Sequence, residues 1–308
     1  VRLGLDIGGT KIDAVVLDDD GGVRAHVRIP TGTGPEAVVT SAERAVREVV
    51  IQDGSELDDI QTIGVGIPGM VDTETGHVHH AVNLGVADLA LADVLGERVG
   101  ARVRVENDVK AASLGAYHLL QLDGAAALLN LGTGMAAGVV VNGVLWRGAR
   151  GGAGEIGHIP FDPFGAVCSC GQRGCLETVA SGSGLARMWP SSAPLPALEL
   201  FDAADAGDPR ALQVRRTIAA GVASALRVLV LTVDVELVVI GGGLSNLGDR
   251  LLAPVREVLT EWEHDSAFLR SLELGERVRM LPPHLSAAAV GAALIGSTET
   301  LDAVEPVA

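Results

Sequence analysis

Apolar residues open the chain in a two-residue rhythm. Leu3, Leu5 and Ile7 alternate with Gly4 and Asp6, and the run LGLDIGGTKIDAVVLDDDGGVRAHVRI parses as strand, glycine turn, strand, Asp-Gly hairpin signal and strand. From Ala127 the grammar returns in LLNLGTGMAAGVVVNGVLWRG, where Asn142-Gly143 is a strong two-residue hairpin signal between alternating apolar strands. Leu5-Asp6-Ile7-Gly8-Gly9-Thr10 aligns with Leu129-Asn130-Leu131-Gly132-Thr133-Gly134. This internal repeat predicts two lobes of the same design.

Helical and strand patterns alternate after each hairpin. In the first lobe helical spacing covers Pro35 to Val50, Leu89 to Val99 and about Val109 to Leu120, with strands at Thr62 to Ile67 and Arg102 to Val105. In the second, Leu176 to Met188, Pro209 to Leu231 and Leu247 to Trp262 read as helices and Glu236 to Ile240 as a strand. Pro190 to Pro196 reads as a surface loop. A last helix, about Ser286 to Thr298, is expected to return to the first lobe. The pattern is α/β with mixed sheets, divided as 1–113 plus 286–308 for the N-terminal lobe and 114–285 for the C-terminal lobe.

Composition narrows the functional classes. With 308 residues the chain can bury a large core, and a formal net charge of −16 argues against a nucleic-acid face and against polyanionic partners. VRLGLDIGG enters a strand pattern directly, so no signal peptide is expected. The longest apolar region, Ile218 to Ile240, is interrupted by Arg227, Asp234 and Glu236, and no membrane span is expected. Only two lysines occur, Lys11 and Lys110, and each sits inside a candidate motif.

All three cysteines fall in GEIGHIPFDPFGAVCSCGQRGCLE, residues 154–177. Cys168, Cys170 and Cys175 lie close together, and His158 precedes them by a short loop. Thiolate and imidazole suit Zn(II), and four such ligands make a closed tetrahedral site without a position for substrate, so a structural Zn2+ is expected. The alternative is that these are idle or buried thiols. Cysteines in metal-like spacing, odd in number, favour a reducing cytoplasm over a disulfide framework. The metal would pin a loop bearing Glu155 at one end and Glu177 at the other.

Three glycine turns are candidates for phosphate contacts: Gly8-Gly9-Thr10-Lys11, Gly132-Thr133-Gly134 and Gly241-Gly242-Gly243. Each is also explained as a tight turn. The first two lack the strand-to-helix P-loop spacing, while the third follows a buried strand and precedes a helix, where backbone donors can meet a nucleotide. Asn107 and Asp108, in VRVENDVKAAS, stand where a strand meets a helix, and either would serve as an N-cap. A carboxylate fixed there could also take the proton of an attacking hydroxyl in phosphoryl transfer.

The series DIGGTK, GIPGMVD, VNLG, VENDVKAAS, LGTG, GGAGEIGH, CSCGQRGCLE and VVIGGG resembles the ROK family of bacterial sugar kinases, glucokinase-like members included. The resemblance runs from Gly4 to Gly243. It implies two RNase H-like lobes of the actin/hexokinase type around a cleft, ATP with Mg2+, and phosphorylation of a hexose or N-acetylhexosamine hydroxyl, with the glucose 6-OH foremost. It assigns Asp108 as catalytic base, and Gly69, Asn83, Asn107, Asp108, Glu155, His158 and Glu177 to the sugar. Asp6, Gly8, Gly9, Thr10, Lys11, Gly132, Thr133 and Gly134 would attend the phosphates and Mg2+, and Gly241, Gly242 and Gly243 the adenosine. His158 would serve zinc through one nitrogen and sugar through the other.

The chain departs from the family's common pattern at Val109-Lys110, where alanine-asparagine is frequent, and at Met135-Ala136-Ala137, where further glycines are frequent. Val86 stands near the place of a common aromatic residue. Relatives imply a homo-oligomer, dimer or tetramer. A sugar-responsive regulator, which needs an added helix-turn-helix, a non-catalytic sugar binder and a polyphosphate-dependent kinase are the rival expectations.

Overall fold

Leu3, Leu5 and Ile7 are fully buried while Gly4 and Asp6 face the other way, so Arg2–Ile7 forms strand β1 with one face committed to a core. The computed structural model of the chain describes residues 1–60 and 62–297. These divide into two units: Val1–Leu122 with Gly143–Gly151 and the segment from Ser286 onward, and Asp123–Asn142 with Gly152–Leu285.

In the first unit β1 pairs antiparallel with β2 (Lys11–Leu17), which pairs antiparallel with β3 (Val23–Pro30). Helix α1 (Pro35–Asp53) follows, opened by Pro35 and closed by Gly54 in the left-handed conformation. Strand β4 (Thr62–Ile67) joins β1 in parallel. Next come β5 (Met70–Asp72), β6 (His77–Ala81) and β7 (Val86–Ala90), a small antiparallel sheet of their own. The predicted helix over Leu89 to Val99 is shorter: α2 is Leu91–Val99, and Leu89 belongs to β7. Strand β8 (Arg102–Asn107) pairs with β4 in parallel, and α3 (Asp108–Leu119) starts without a break. The main sheet runs β3-β2-β1-β4-β8.

The second unit repeats this plan. Strands β9 (Ala125–Leu131) and β10 (Met135–Val141) form the hairpin, and the Asn142-Gly143 turn leads on to β11 (Val144–Trp146), which is counted with the first unit. The predicted helix over Leu176 to Met188 is two pieces, a single turn at Leu176–Thr178 and α4 (Gly182–Met188). Ser181 breaks it because its hydroxyl accepts the Gly184 amide at 3.1 Å and caps α4 instead.

Helix α5 (Pro196–Asp205) was not evident in the pattern, where Pro196 read as the end of a loop; it is the first residue of this helix. Then follow α6 (Pro209–Val233), β12 (Leu237–Gly241), α7 (Asp249–Asp265), α8 (Ala267–Arg270), β13 (Val278–Met280) and α9 (Ala287–Ser297). Thr298, where the pattern ended the last helix, lies outside the described residues with the rest of 298–308. Parallel pairing of β12 with β9 and β13 gives the order β10-β9-β12-β13, matching β2-β1-β4-β8.

By length and composition alone α6 could cross a membrane, but 56% of its most apolar window is buried, against α5, α7 and the second sheet. Fully buried Phe201 of α5 shares that core; removing so large a side chain costs about 3–5 kcal/mol. Helix α9 packs in the first unit, where Ala289 and Ala293 meet Val15 and Leu17, and Ala292 meets Ala111 of α3. It approaches so closely that Gly4, Gly64 and Gly115 face its backbone with no room for a side chain.

Candidate active site and metal centre

The first glycine turn closes by a bond from the Gly8 amide to the Lys11 carbonyl at 2.9 Å. A side-chain carbon on Gly9 would touch Asn83 at 3.4 Å, so this turn and Asn83 are neighbours. Cross-strand register lines up Asp6, Asp13 and Arg28 on one face of the sheet. Asp13 is 5% exposed and accepts from Arg28 Nε at 2.7 Å; His26 Nε2 lies at 2.8 Å and Lys11 Nζ at 3.6 Å. Burial pushes the Asp13 carboxyl up, yet the Arg28 and His26 bonds outweigh it and hold it below the usual range. Burial first, then the charges of Asp108 and Asp13, push Asp6 up to about 7. Carboxylates that repel one another beside a glycine turn are a donor set that a divalent cation relieves, so Asp6 fits Mg2+.

Asn107 has extended backbone and its Oδ1 accepts from the Val109 and Lys110 amides at 3.0 and 3.3 Å, so it is the cap of α3. Its Nδ2 donates to the Gly69 carbonyl at 3.3 Å. Gly69 has φ of 111° and leaves no space for a side chain against His79. Asp108 is the first residue of α3, its backbone beside Gly66. Thus Asp6, Gly8, Gly9, Thr10, Lys11, Gly69, Asn83, Asn107 and Asp108 gather at one end of the first unit's sheet.

The remaining predicted residues belong to the second unit. Gly132-Thr133-Gly134 turns between β9 and β10, and the Gly132 and Thr133 carbonyls accept from Gly182 and Ser183 at the start of α4 at 2.8 and 3.0 Å. Gly242, at φ of 84°, packs onto Leu131 and Asn130, so the turn Gly241-Gly242-Gly243 lies against the strand that ends at Gly132. Gly243 has open space before it. Exposed backbone donors on two adjoining glycine turns fit a nucleotide.

Glu155, exposed, precedes a single helical turn at Ile156–His158. This stretch lies so near β10 that a side chain on Gly154 or Gly157 would meet the Ala137 or Met135 carbonyl. His158, Cys168, Cys170 and Cys175 offer ligand atoms that all lie within 4.8 Å of one another. Zinc with Zn–S of about 2.3 Å and Zn–N of about 2.0 Å gives tetrahedral edges of about 3.8 Å between sulfurs and about 3.5 Å between sulfur and nitrogen. Cys170 and Cys175 sulfurs are 3.7 Å apart, and Cys168 Sγ is 3.6 Å from His158 Nδ1. The cluster therefore has zinc dimensions, with Nδ1 turned inward.

Burial pushes the Cys168 thiol up to about 12 and raises Cys175, while the Gln172 backbone amide and side chain bring Cys170 down to about 6. Glu177 Oε1 accepts from Cys168 Sγ at 3.1 Å and from Ser169 Oγ at 3.3 Å, and its Oε2 lies 3.5 Å from the Met135 amide. Glu177 thus joins the cluster to the second glycine turn.

Sequence reasoning missed the partners of Asp13 and the bonds that hold the 143–151 segment. For Asp13 a signal existed, since a lone carboxylate in the buried run of β2 needs cations, and His26 and Arg28 alternate onto the same face of β3.

Residues 2–298 match the family model described as ROK. The chain belongs to the ROK family. A curated relative, the glucokinase of Halalkalibacterium halodurans, is 38% identical over 83% of this chain and 84% of its own length. Among solved structures, the ROK hexokinase of Thermus thermophilus has a TM-score of 0.79 at 33% identity, covering 96% of this chain and 97% of that one. A ROK family glucokinase from Streptomyces griseus, solved with glucose and AMPPNP, has a TM-score of 0.76 at 30% identity, covering 96% and 98%. The mixed α/β fold is accordingly the actin/hexokinase type that the ROK resemblance implied.

Proposed function

We propose that this ROK protein, an ATP-dependent sugar kinase, transfers the γ-phosphoryl group of ATP to a hydroxyl of a hexose or N-acetylhexosamine, with the glucose 6-OH as preferred acceptor. The observation that carries the reading is the β8–α3 junction. There Asp108 opens a helix beside a cap bonded to Gly69, within electrostatic reach of Asp6 and hence of the first glycine turn. Asp108 accepts the hydroxyl proton as the sugar oxygen forms its bond to phosphorus and the bond to ADP breaks. Asn107, Gly69 and Asn83 orient the sugar, as do Glu155, Glu177 and His158 through its outward nitrogen. A polyol presents many donors and acceptors, which carboxylates, amides and an imidazole satisfy and an apolar pocket does not.

Gly8, Gly9, Thr10, Lys11, Gly132, Thr133 and Gly134 hold the phosphates, and Gly241, Gly242 and Gly243 the adenosine. Mg2+, held by Asp6, supplies charge neutralisation of the phosphates when bound. His158, Cys168, Cys170 and Cys175 hold a structural zinc. Reduced thiols in this arrangement suit the cytoplasm, and a homo-oligomer is the expected assembly. The test is ADP release from ATP, then sugar-phosphate formation from polyphosphate, across a panel of hexoses and N-acetylhexosamines. Sugar-dependent ADP formation, strongest with glucose, is expected; sugar binding with no ADP formed refutes the reading.

A further inference from the structure

The junction that carries Asp108 is gripped on both sides by one short piece of chain. Glu106, just before Asn107, is 1% exposed; its Oε2 accepts from Arg147 Nε at 2.7 Å and its Oε1 from the Asn107 amide at 2.9 Å. Lys110, two residues beyond Asp108, is 7% exposed, and its ammonium donates to the Gly151 carbonyl. Arg147 and Gly151 belong to the segment 143–151, which is part of the same unit as β8 and α3. Gly148 and Gly151, with φ of 73° and 71°, let that segment turn back on itself.

Neither buried charge has an evident use in folding. Burying a carboxylate or an ammonium costs several kcal/mol, on the order of what the new partners return, so an apolar side chain of equal volume would serve packing as well or better. What the charged groups add is direction. Lys110 also donates its backbone amide to the Asn107 cap, so cap, first helical turn and strap are linked through one residue.

We propose that Lys110 and Arg147 are positioning residues for Asp108, strapping segment 143–151 across the β8–α3 junction so that the carboxylate is held for proton transfer. The proposal rests on the reading of Asp108 as general base. Lys110→Met keeps the volume and removes the donor; Lys110→Arg restores a donor and the charge. Hydrogen exchange of the amides at 109–110 and 146–151 tests the strap without turnover, and kcat and KM test its consequence.

In Lys110→Met, exchange at these amides rises about tenfold, and kcat falls about tenfold with KM for sugar and ATP changed by less than about twofold. Lys110→Arg recovers kcat to within about threefold of the parent. Unchanged exchange, a loss confined to KM, or failure of arginine to rescue overturns the proposal. Arg147→Gln alone would strand Glu106, so the paired Glu106→Gln/Arg147→Met change is used; it folds and shows a similar loss of kcat, and full activity in it removes Arg147 from the proposal. A parent protein without sugar-dependent ADP release would defeat the kinase reading instead, and exchange alone then decides the strap.

Discussion

Gly291 sets two rules of protein stability against each other. It lies within the eleven-residue helix α9, where changing glycine to alanine ordinarily stabilises by about 1 kcal/mol. A methyl group there would sit 1.7 Å from the Ala111 carbonyl oxygen of α3, 2.6 Å from its carbon and 2.7 Å from the Gly115 amide nitrogen. Since such carbons keep at least 3.0 Å from other heavy atoms, the two helices must separate by more than 1.3 Å, that is 3.0 less 1.7. The obstacle is backbone, so no side chain can rotate away. Overpacking costs about 1–3 kcal/mol, and the upper end applies to a rigid neighbour.

After the gain from propensity a net loss of about 2 kcal/mol remains, or about 4–8 °C in Tm. Ala111 is three residues after Asp108 on the same helix, so the displacement reaches the candidate base. A shift of about 1 Å there lowers kcat on the order of 100-fold. Thermal unfolding and initial rates of Gly291→Ala are compared with Gly275→Ala, where a side-chain carbon meets nothing within 4 Å and the change stays within about 0.5 kcal/mol. A Tm for Gly291→Ala at or above that of the parent would refute the claim that close approach outranks helix propensity here.

Asp108→Asn should lower kcat by about 100- to 10,000-fold while calorimetry still detects sugar binding; near-parental turnover contradicts the base assignment. The protein as isolated should contain one zinc per chain by elemental analysis, and Cys170→Ser should lose the metal and weaken sugar binding about tenfold. A folded, metal-free variant with unaltered sugar affinity removes the loop-pinning role. Asp6 gives a pH test. Its folded value of about 7 exceeds the ordinary 3.8, so the folded state keeps a proton that the unfolded state has lost, and this group's contribution to stability falls as pH rises through that window. Mg2+ without nucleotide should therefore raise Tm more near pH 8 than near pH 5, and equal shifts at both would contradict cation binding at Asp6.

What could be read from the sequence follows from how local each signal is. Alternating Leu3, Leu5 and Ile7, the glycine turn and the repeat at Leu129 to Gly134 identify both hairpins, because strand period and turn chemistry are short-range. The Cys3His cluster is legible for the same reason, all four of its residues falling from His158 to Cys175. The sheet of β5, β6 and β7 is not, since its strands are three to five residues long and carry His77 and His79 on partly exposed positions, which blurs the alternation. Ser181 ends a helical pattern by a side-chain bond that apolar spacing does not register. The bonds of Glu106 to Arg147 and Lys110 to Gly151 each span 41 residues, beyond any local pattern.

The position of α9 dictates an order of assembly. Its residues, 287–297, are synthesised after the whole of the second unit, yet they cover the glycine face of β1 and β4 and the flank of α3. From Leu122 to Ala287 the ribosome adds 165 residues, which at about 5–20 residues per second takes roughly 10–30 s. Throughout that interval the first-made hydrophobic surface waits for its lid, and by the end of it the later-made unit has received all its residues. The first unit, which carries Asp108, therefore receives its last packing element only after the second unit has been made.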